Sequence, residues 1–257
     1  MPVIAVVSAK GGVGKTTVTA NLSLGFVQRG FSVLVLDLDP QNAIQWHMGG
    51  LPHDVVSGLS VIAGDRAPKL WEVAFSSASG VDFVPYGSAG EQQRIDFEQV
   101  LEQQEEWLLK LLKRAKLPKN TIVLLDTPPG PSAYLSQAIH AADFLLAVVL
   151  ADAASYSTIP EMESLIAVHT NEAGLLVDSA YLVNQVSSSQ LSQDVVSLYR
   201  EQLGARVVPI LIPESAQIEE ALAYERSVLD YEPESLAATA LQEVADWLLL
   251  QLQLQAK

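Results

Sequence analysis

Ser8-Ala9-Lys10-Gly11-Gly12-Val13-Gly14-Lys15-Thr16-Thr17 is the stretch that decides the fold. It follows the apolar run Val3–Val7 and leads into a segment with helical patterning, residues 17–28. A strand, a glycine-rich loop and a helix in this order form the setting in which a backbone wraps around phosphate groups. The sequence therefore predicts a phosphate-binding loop.

The residue types in this loop suit that chemistry. Gly11, Gly12 and Gly14 carry no Cβ atom, so backbone N–H groups can turn towards phosphate oxygens, and the following helix points its positive end at the same place. Lys15 can neutralise the β- and γ-phosphates, and the Thr16 hydroxyl can hold Mg²⁺. The expected binding segment comprises Lys10, Gly11, Gly12, Val13, Gly14, Lys15, Thr16 and Thr17.

A second lysine distinguishes this loop from the usual pattern. Ala9 stands where the pattern begins with glycine, and Lys10 follows it. The run KGGVGKTT resembles the deviant Walker A motif of the MinD/ParA ATPases. That resemblance implies ATP and Mg²⁺ as ligands and a homodimer in the ATP state. It also makes Lys10 the lysine that reaches the partner's phosphates and Lys15 the lysine of the loop's own nucleotide, so both are predicted catalytic residues.

Two aspartates end the second predicted strand, in Asp37-Leu38-Asp39-Pro40-Gln41. Side chains two apart on an extended segment point the same way, and Pro40 ends the strand. A carboxylate at this place can orient or deprotonate an attacking water, although an Asp-Pro pair alone fits an ordinary turn equally well. The resemblance assigns Asp39 to hydrolysis and to the Mg²⁺ site, with Asp37 in support.

A third carboxylate follows the apolar run Thr121–Leu125, in Asp126-Thr127-Pro128-Pro129-Gly130. A buried strand that ends in an acid is the Walker B arrangement, which delivers one carboxylate to the water shell of a metal. The segment also resembles the second switch of the same family. Asp126 is therefore a predicted Mg²⁺ ligand, and Gly130 could let the backbone sense the γ-phosphate.

Two later segments resemble the family's adenine site. Asn184 ends a predicted strand, and its amide can donate and accept hydrogen bonds at an adenine edge. Pro213 and Glu214 belong to a segment that resembles the loop packing on the base. Asparagine after a strand is also a common turn residue, so its pattern alone leaves both readings open.

Strand-length apolar runs alternate with helical patterns along the chain, which predicts an α/β fold with a doubly wound, mostly parallel sheet flanked by helices. We expect a single P-loop ATPase domain over residues 1–257. Residues 46–80 have weak periodicity and are expected to form loops and short helices. The predicted strands are Val3–Val7, Ser32–Leu36, Val81–Pro85, Thr121–Leu125, Phe144–Leu150, Ala180–Val183 and Val207–Ile212. The predicted helices include Lys15–Arg29, Glu91–Lys116, Gln190–Leu203 and Ser235–Gln253.

The composition limits the kinds of partner that the chain is expected to bind. The formal net charge of −15 opposes binding to DNA and to anionic lipid, so nucleic acid is an unlikely partner. The absence of cysteine excludes relatives with an iron–sulfur cluster or a cysteine zinc clip. Residues 241–257 contain many leucines but one basic residue, which does not fit direct membrane insertion. We expect a cytoplasmic protein, with recruitment to the inner membrane or a cell pole left to its partners.

Within the family, three segments resemble the cellulose-biosynthesis ATPases of the BcsQ type: Val81–Gly87, Leu146–Ala153, and Leu236–Ala238 leading to Ala245–Leu249. The resemblance implies a switch that positions or activates a bacterial cellulose synthase complex through protein partners. A ParA-like partition ATPase and a nucleotide-stabilised scaffold with negligible turnover are the alternatives. DNA-partitioning members carry arginines where this chain has Glu214 and Gln217, which argues against the partition ATPase.

Overall fold

The computed structural model describes residues 1–50, 58–62, 69–173 and 177–255 of the chain. Within these residues a seven-stranded sheet has the order β3-β4-β2-β5-β1-β6-β7. Every neighbouring pair is parallel except β3 and β4, which are antiparallel. The predicted doubly wound, mostly parallel sheet is therefore confirmed. The strands are β1 (Val3–Val7), β2 (Ser32–Asp37), β3 (Phe75–Ser76), β4 (Asp82–Val84), β5 (Thr121–Asp126), β6 (Phe144–Leu150) and β7 (Asp178–Asn184).

Helices cover both faces of this sheet. They are α1 (Lys15–Gln28), α2 (Ile44–His47), α3 (Glu91–Gln103), α4 (Trp107–Arg114), α5 (Ala133–Ala141), α6 (Ala153–Tyr156), α7 (Ile159–Ala173), α8 (Gln190–Leu203), α9 (Ala216–Ala223), α10 (Val228–Tyr231) and α11 (Leu236–Gln251). Among the described residues, none of these helices combines the length and the hydropathy that a membrane span requires.

The central strands are continuous apolar runs because they are buried on both faces. All five residues of β1 are buried, and alternate side chains enter two separate cores. One core contains residues of α3, α4, α5, α7 and α8, and the other contains residues of α1, α9, α10 and α11. β1 lies between β5 and β6, so the loop that follows it emerges at the middle of the sheet.

The prediction of one helix over Glu91–Lys116 is wrong, because α3 and α4 are separate. The buried side chain of Gln137 causes the break by bonding to both helix ends. Its amide nitrogen donates to the carbonyls of Leu101 and Gln104 at 2.8 and 2.6 Å, and its oxygen accepts from the Leu108 backbone at 3.0 Å. These bonds replace the intrahelical ones that a continuous helix would need at this point.

The predicted strand Val207–Ile212 is also wrong as a regular strand. This segment runs beside β7 and bonds to it at separate points, from the Val208 N–H to the Tyr181 carbonyl at 2.9 Å and from the Ile212 N–H to the Val183 carbonyl at 3.0 Å, without forming a continuous ladder. Pro209 has no N–H group, which prevents a continuous ladder there. Within the predicted loop region 46–80, the structure adds the short edge strand β3 next to β4, and residues 51–57 and 63–68 lie outside the described part.

Candidate functional site

The glycine-rich loop joins β1 to the first residue of α1. Gly14 precedes the helix with φ of 89° and Gly12 has φ of 76°, values that L residues rarely adopt. The chain can therefore turn sharply and present the amino end of α1 to the space above the carboxyl edge of the sheet. A helix amino terminus with free backbone N–H groups attracts anions.

Lys15 is the first residue of α1, and only 6% of it is exposed. Its ammonium donates to the Ser8 hydroxyl at 2.9 Å, and this hydroxyl donates in turn to the Lys10 carbonyl at 2.7 Å. Burial lowers the pKa of Lys15, while the charges of Asp126 and Asp39 act in the opposite direction. The loop thus holds a desolvated cation that is attracted by two carboxylates. Ser8 had no predicted role, although it stands directly before the motif.

Asp126 ends β5 and is fully buried beneath the loop. One carboxylate oxygen, Oδ1, accepts from the Thr19 hydroxyl at 3.4 Å, whereas Oδ2 has no hydrogen-bond partner among the described residues. Burial raises the pKa of Asp126 to about 7, while the nearby Thr16 hydroxyl and the charge of Lys15 oppose this rise. A buried carboxylate oxygen without a partner, next to a threonine hydroxyl, suits the shell of a hard cation such as Mg²⁺.

Asp37 and Asp39 have different environments. Asp37 is buried and accepts from the Asp39 and Ile44 backbone at 3.0 and 3.1 Å, so it holds both ends of the loop between them. Burial, followed by the charge of Asp126, raises the pKa of Asp37 well above its usual range. Asp39 is half-buried, and its carboxylate accepts from the Gln41 backbone at 2.9 Å. Asp39 is therefore the one of the two that the loop leaves partly open to solvent.

The segment after β5 contacts the glycine-rich loop through its backbone. The Gly130 N–H donates to the Ser8 carbonyl at 2.9 Å, and Gly130 has φ of 73°. The Thr127 hydroxyl donates to the Val6 carbonyl at 2.8 Å and is fully buried. Thr127 had no predicted role. These bonds attach the segment to both β1 and the loop that follows it.

A cleft opens on the other side of Gly14. Asn184, Pro213 and Glu214 line it together with Thr17 of α1, so the structure brings the predicted adenine residues beside the loop. The Asn184 amide also donates to the Val13 carbonyl at 2.9 Å, a contact that the sequence did not indicate. The cleft continues from the phosphate loop and therefore suits the rest of a nucleotide.

Lys10 lies at the rim of the loop. Its ammonium is 3.6 Å from the carboxylate of Asp152, and the two side chains are 38% and 41% exposed. Asp152 precedes α6 and its side chain also accepts from the Ser155 backbone at 2.6 Å. Burial alone would raise the pKa of Asp152, but this hydrogen bond and the charge of Lys10 lower it overall.

Sequence comparison identifies the family of the chain. The model of the cellulose biosynthesis protein BcsQ family matches residues 1–249. The chain belongs to the BcsQ family. It is accordingly a P-loop ATPase of the MinD/ParA type, as the sequence predicted.

Individual relatives are similar to the chain over most of its length. An uncharacterised ATP-binding protein of Methanocaldococcus jannaschii is 30% identical over 94% of this chain and 85% of its own length. The BcsQ protein of Salmonella typhimurium is 25% identical over 97% of this chain and 95% of its own. Among solved structures, the septum site-determining protein MinD of Pyrococcus horikoshii, complexed with Mg-ADP, has a TM-score of 0.73 and 25% identity. The match covers 96% of this chain and 95% of the MinD chain.

Proposed function

We propose that this BcsQ-family protein binds and hydrolyses ATP with Mg²⁺, and that it dimerises in the ATP state. The observation that carries the proposal is the convergence of Lys15, Asp39 and Asp126 beneath one glycine-rich loop, with Lys15 desolvated and an oxygen of Asp126 unpaired. ATP-binding and Mg-ADP relatives support the choice of ligands. Residues 1–257 would act as one ATPase unit.

Each residue has a distinct part in this proposal. The backbone from Lys10 to Thr17 would surround the phosphates, with Lys15 neutralising their charge. Thr16 and Asp126 would hold Mg²⁺, which neutralises phosphate charge when bound, and Asp39 would orient the attacking water beside it. Lys10 would reach the partner subunit's phosphates. Asn184, Pro213 and Glu214 would contact the adenine.

Phosphate release and oligomeric state test this function together. The parent protein should release phosphate from ATP and form a dimer with ATP but not ADP, as measured by light scattering. Because Asp39 would orient the water, Asp39→Ala should keep ATP binding and accumulate the ATP dimer with little phosphate released. Asp178→Ala, an exposed aspartate at the start of β7, is the matched control.

Two outcomes would replace this proposal. An ATP dimer with no phosphate release, even with candidate partners, would favour a nucleotide-stabilised scaffold. Tight binding to DNA at moderate salt would favour a ParA-like partition ATPase, since phosphate contacts supply most of such affinity.

We also propose that the switch acts on a bacterial cellulose synthase complex through protein partners, with recruitment from the cytoplasm to the inner membrane or a cell pole. Family membership supports this part of the proposal. Cells that lack the chain should lose cellulose production. Expression of the parent should restore it, whereas expression of Lys15→Ala should not. Normal cellulose in the deletion strain would contradict this role.

A further inference from the structure

The Asn184 side chain connects the end of β7 to the glycine-rich loop. The residue is only 4% exposed, and its amide nitrogen donates to the Val13 carbonyl at 2.9 Å. The two residues are 171 positions apart in the sequence. A hydrogen bond between buried groups at this place contributes to the geometry of the loop, because an unpaired Val13 carbonyl would be unfavourable there.

Gly14, the next residue of the loop, leaves room for the Asn184 amide. A Cβ atom placed on Gly14 would lie 2.5 Å from the Asn184 amide nitrogen, closer than real Cβ contacts allow. Gly14 also has φ of 89°. Position 14 therefore requires glycine both for its backbone conformation and for the approach of Asn184.

The backbone around Asn184 is itself held in place. Gln185 has φ of 54°, which turns the chain directly after β7. The Val186 N–H then donates to the Ile212 carbonyl at 2.9 Å, and the Glu214 N–H donates to the Val186 carbonyl at 3.1 Å. The amide thus approaches the loop from a fixed backbone.

The hydrogen bond from Asn184 also affects the side of the loop that faces the phosphates, because of the geometry of the peptide unit. The carbonyl of Val13 and the N–H of Gly14 belong to one planar trans peptide unit and point in opposite directions. When Asn184 holds the Val13 carbonyl, it also sets the direction of the Gly14 N–H, which is one of the donors available to a phosphate.

We propose that Asn184 is a positioning residue for the phosphate loop, in addition to its proposed contact with adenine. The inference rests on the proposed binding of ATP in this loop. One side chain then serves the base and the phosphates together. Its removal weakens the binding of a triphosphate that has no base at all.

Mg-tripolyphosphate, which lacks a nucleoside, is the probe that tests this inference. Calorimetry compares its affinity with that of Mg-ATP for the parent and for Asn184→Ala. We expect Asn184→Ala to weaken both ligands by about tenfold, the effect of one buried hydrogen bond. Parent-like affinity for tripolyphosphate together with weaker ATP binding would show that Asn184 contacts the base alone, and would overturn the inference.

Two further variants keep the test decisive. Asn184→Asp preserves the shape of the side chain but cannot donate to the Val13 carbonyl when ionised, so tripolyphosphate binding should weaken at least as much as in Asn184→Ala. Pro213→Ala, on the base side of the cleft, should weaken ATP but not tripolyphosphate. If Pro213→Ala weakened both ligands equally, the effect would not be specific to Asn184 and the inference would fail. Melting curves of the ligand-free variants show that each is folded.

The same experiment separates this inference from the proposed function. A folded parent protein that bound neither ATP nor tripolyphosphate would refute the proposed function. A parent that bound both, with Asn184→Ala binding tripolyphosphate normally, would refute only the positioning role.

Discussion

The two lysines of the glycine-rich loop differ in burial and in their bonding partners: Lys15 lies on the buried side of the loop, here called its floor, and Lys10 lies on the exposed side, its rim. Lys15, on the floor, is buried and hydrogen-bonded to the neutral Ser8 hydroxyl, with Asp126 and Asp39 acting on it through their charges. Lys10, on the rim, is partly exposed and forms an ion pair with Asp152. Burial makes the first charge costly to leave without an anion, whereas water screens the second. The loop therefore combines a fixed cation with one that can change partners easily.

Removal of the buried cation should have the largest effect on the affinity for nucleotide. We expect Lys15→Ala to lower the affinity for Mg-ATP by roughly 100-fold, because charge-assisted hydrogen bonds to phosphate are lost in a desolvated site. A fluorescent ATP analogue measures the affinity. Lys119→Ala, an exposed lysine before β5, is the matched control.

The same variant tests the stability of the loop without ligand. In ligand-free Lys15→Ala the cost of burying the ammonium is removed, but the buried Asp126 carboxylate loses the cation that opposes its charge, so the free energy of unfolding reports the balance of these two effects. Undiminished ATP binding by Lys15→Ala would contradict the assignment of the floor lysine.

His47 shows what burial does to a basic group when no charge opposes it. It ends α2, is buried, and burial lowers its pKa to about 4 from 6.5. The unfolded chain therefore takes up a proton near pH 6.5 while the folded chain does not. The contribution of His47 to the free energy of unfolding should therefore fall by about 3 kcal/mol as the pH drops from 6.5 to 4, while the raised pKa values of Asp126 and Asp37 act in the opposite direction. Urea unfolding at several pH values measures this loss.

A matched pair of variants isolates the imidazole from the other titrating groups. The free energy of unfolding of His47→Gln, taken relative to that of the parent, should rise by about 3 kcal/mol as the pH drops from 6.5 to 4, whereas that of His140→Gln, in the last turn of α5, should show no such rise. Equal pH profiles for the parent and His47→Gln would show that burial of His47 has no such effect.

The smallest effect should come from removal of the negative charge that pairs with Lys10 at the rim. Asp152→Asn removes the charge opposite Lys10 but keeps a side-chain oxygen to accept from Ser155. We expect the free energy of unfolding to fall by less than about 1 kcal/mol at low salt, and by less still at high salt. A larger cost that persisted in high salt would mean that the rim lysine is held as firmly as the floor lysine.

The sequence predicts most of the sheet because its signals are local. β1, β6 and α8 have the predicted bounds, since continuous apolar runs and a serine cap mark their ends. The break between α3 and α4 could not be predicted, because it depends on Gln137 from a distant helix. The irregular pairing of residues 207–213 likewise depends on where β7 lies.

In the candidate site, too, motifs predict some residues, whereas other contacts depend on the three-dimensional arrangement. Lys15, Asp39 and Asp126 could be chosen from motifs, because each lies at or after the carboxyl end of a strand, and these strands end at the same edge of the sheet. The bond from Asn184 to Val13 and the support of Lys15 by Ser8 depend on side-chain geometry that no motif encodes. The pairing of Lys10 with Asp152 also required the three-dimensional arrangement of β1 and α6.

The direction of the strands has a practical consequence. Because the central strands run parallel, their starting ends lie on the side of the sheet away from the phosphate loop, and the exposed Lys119 is there, two residues before β5. The chain has no cysteine, so Lys119→Cys would introduce a sole thiol. A dye on that thiol could report on subunit association without touching the nucleotide-binding side.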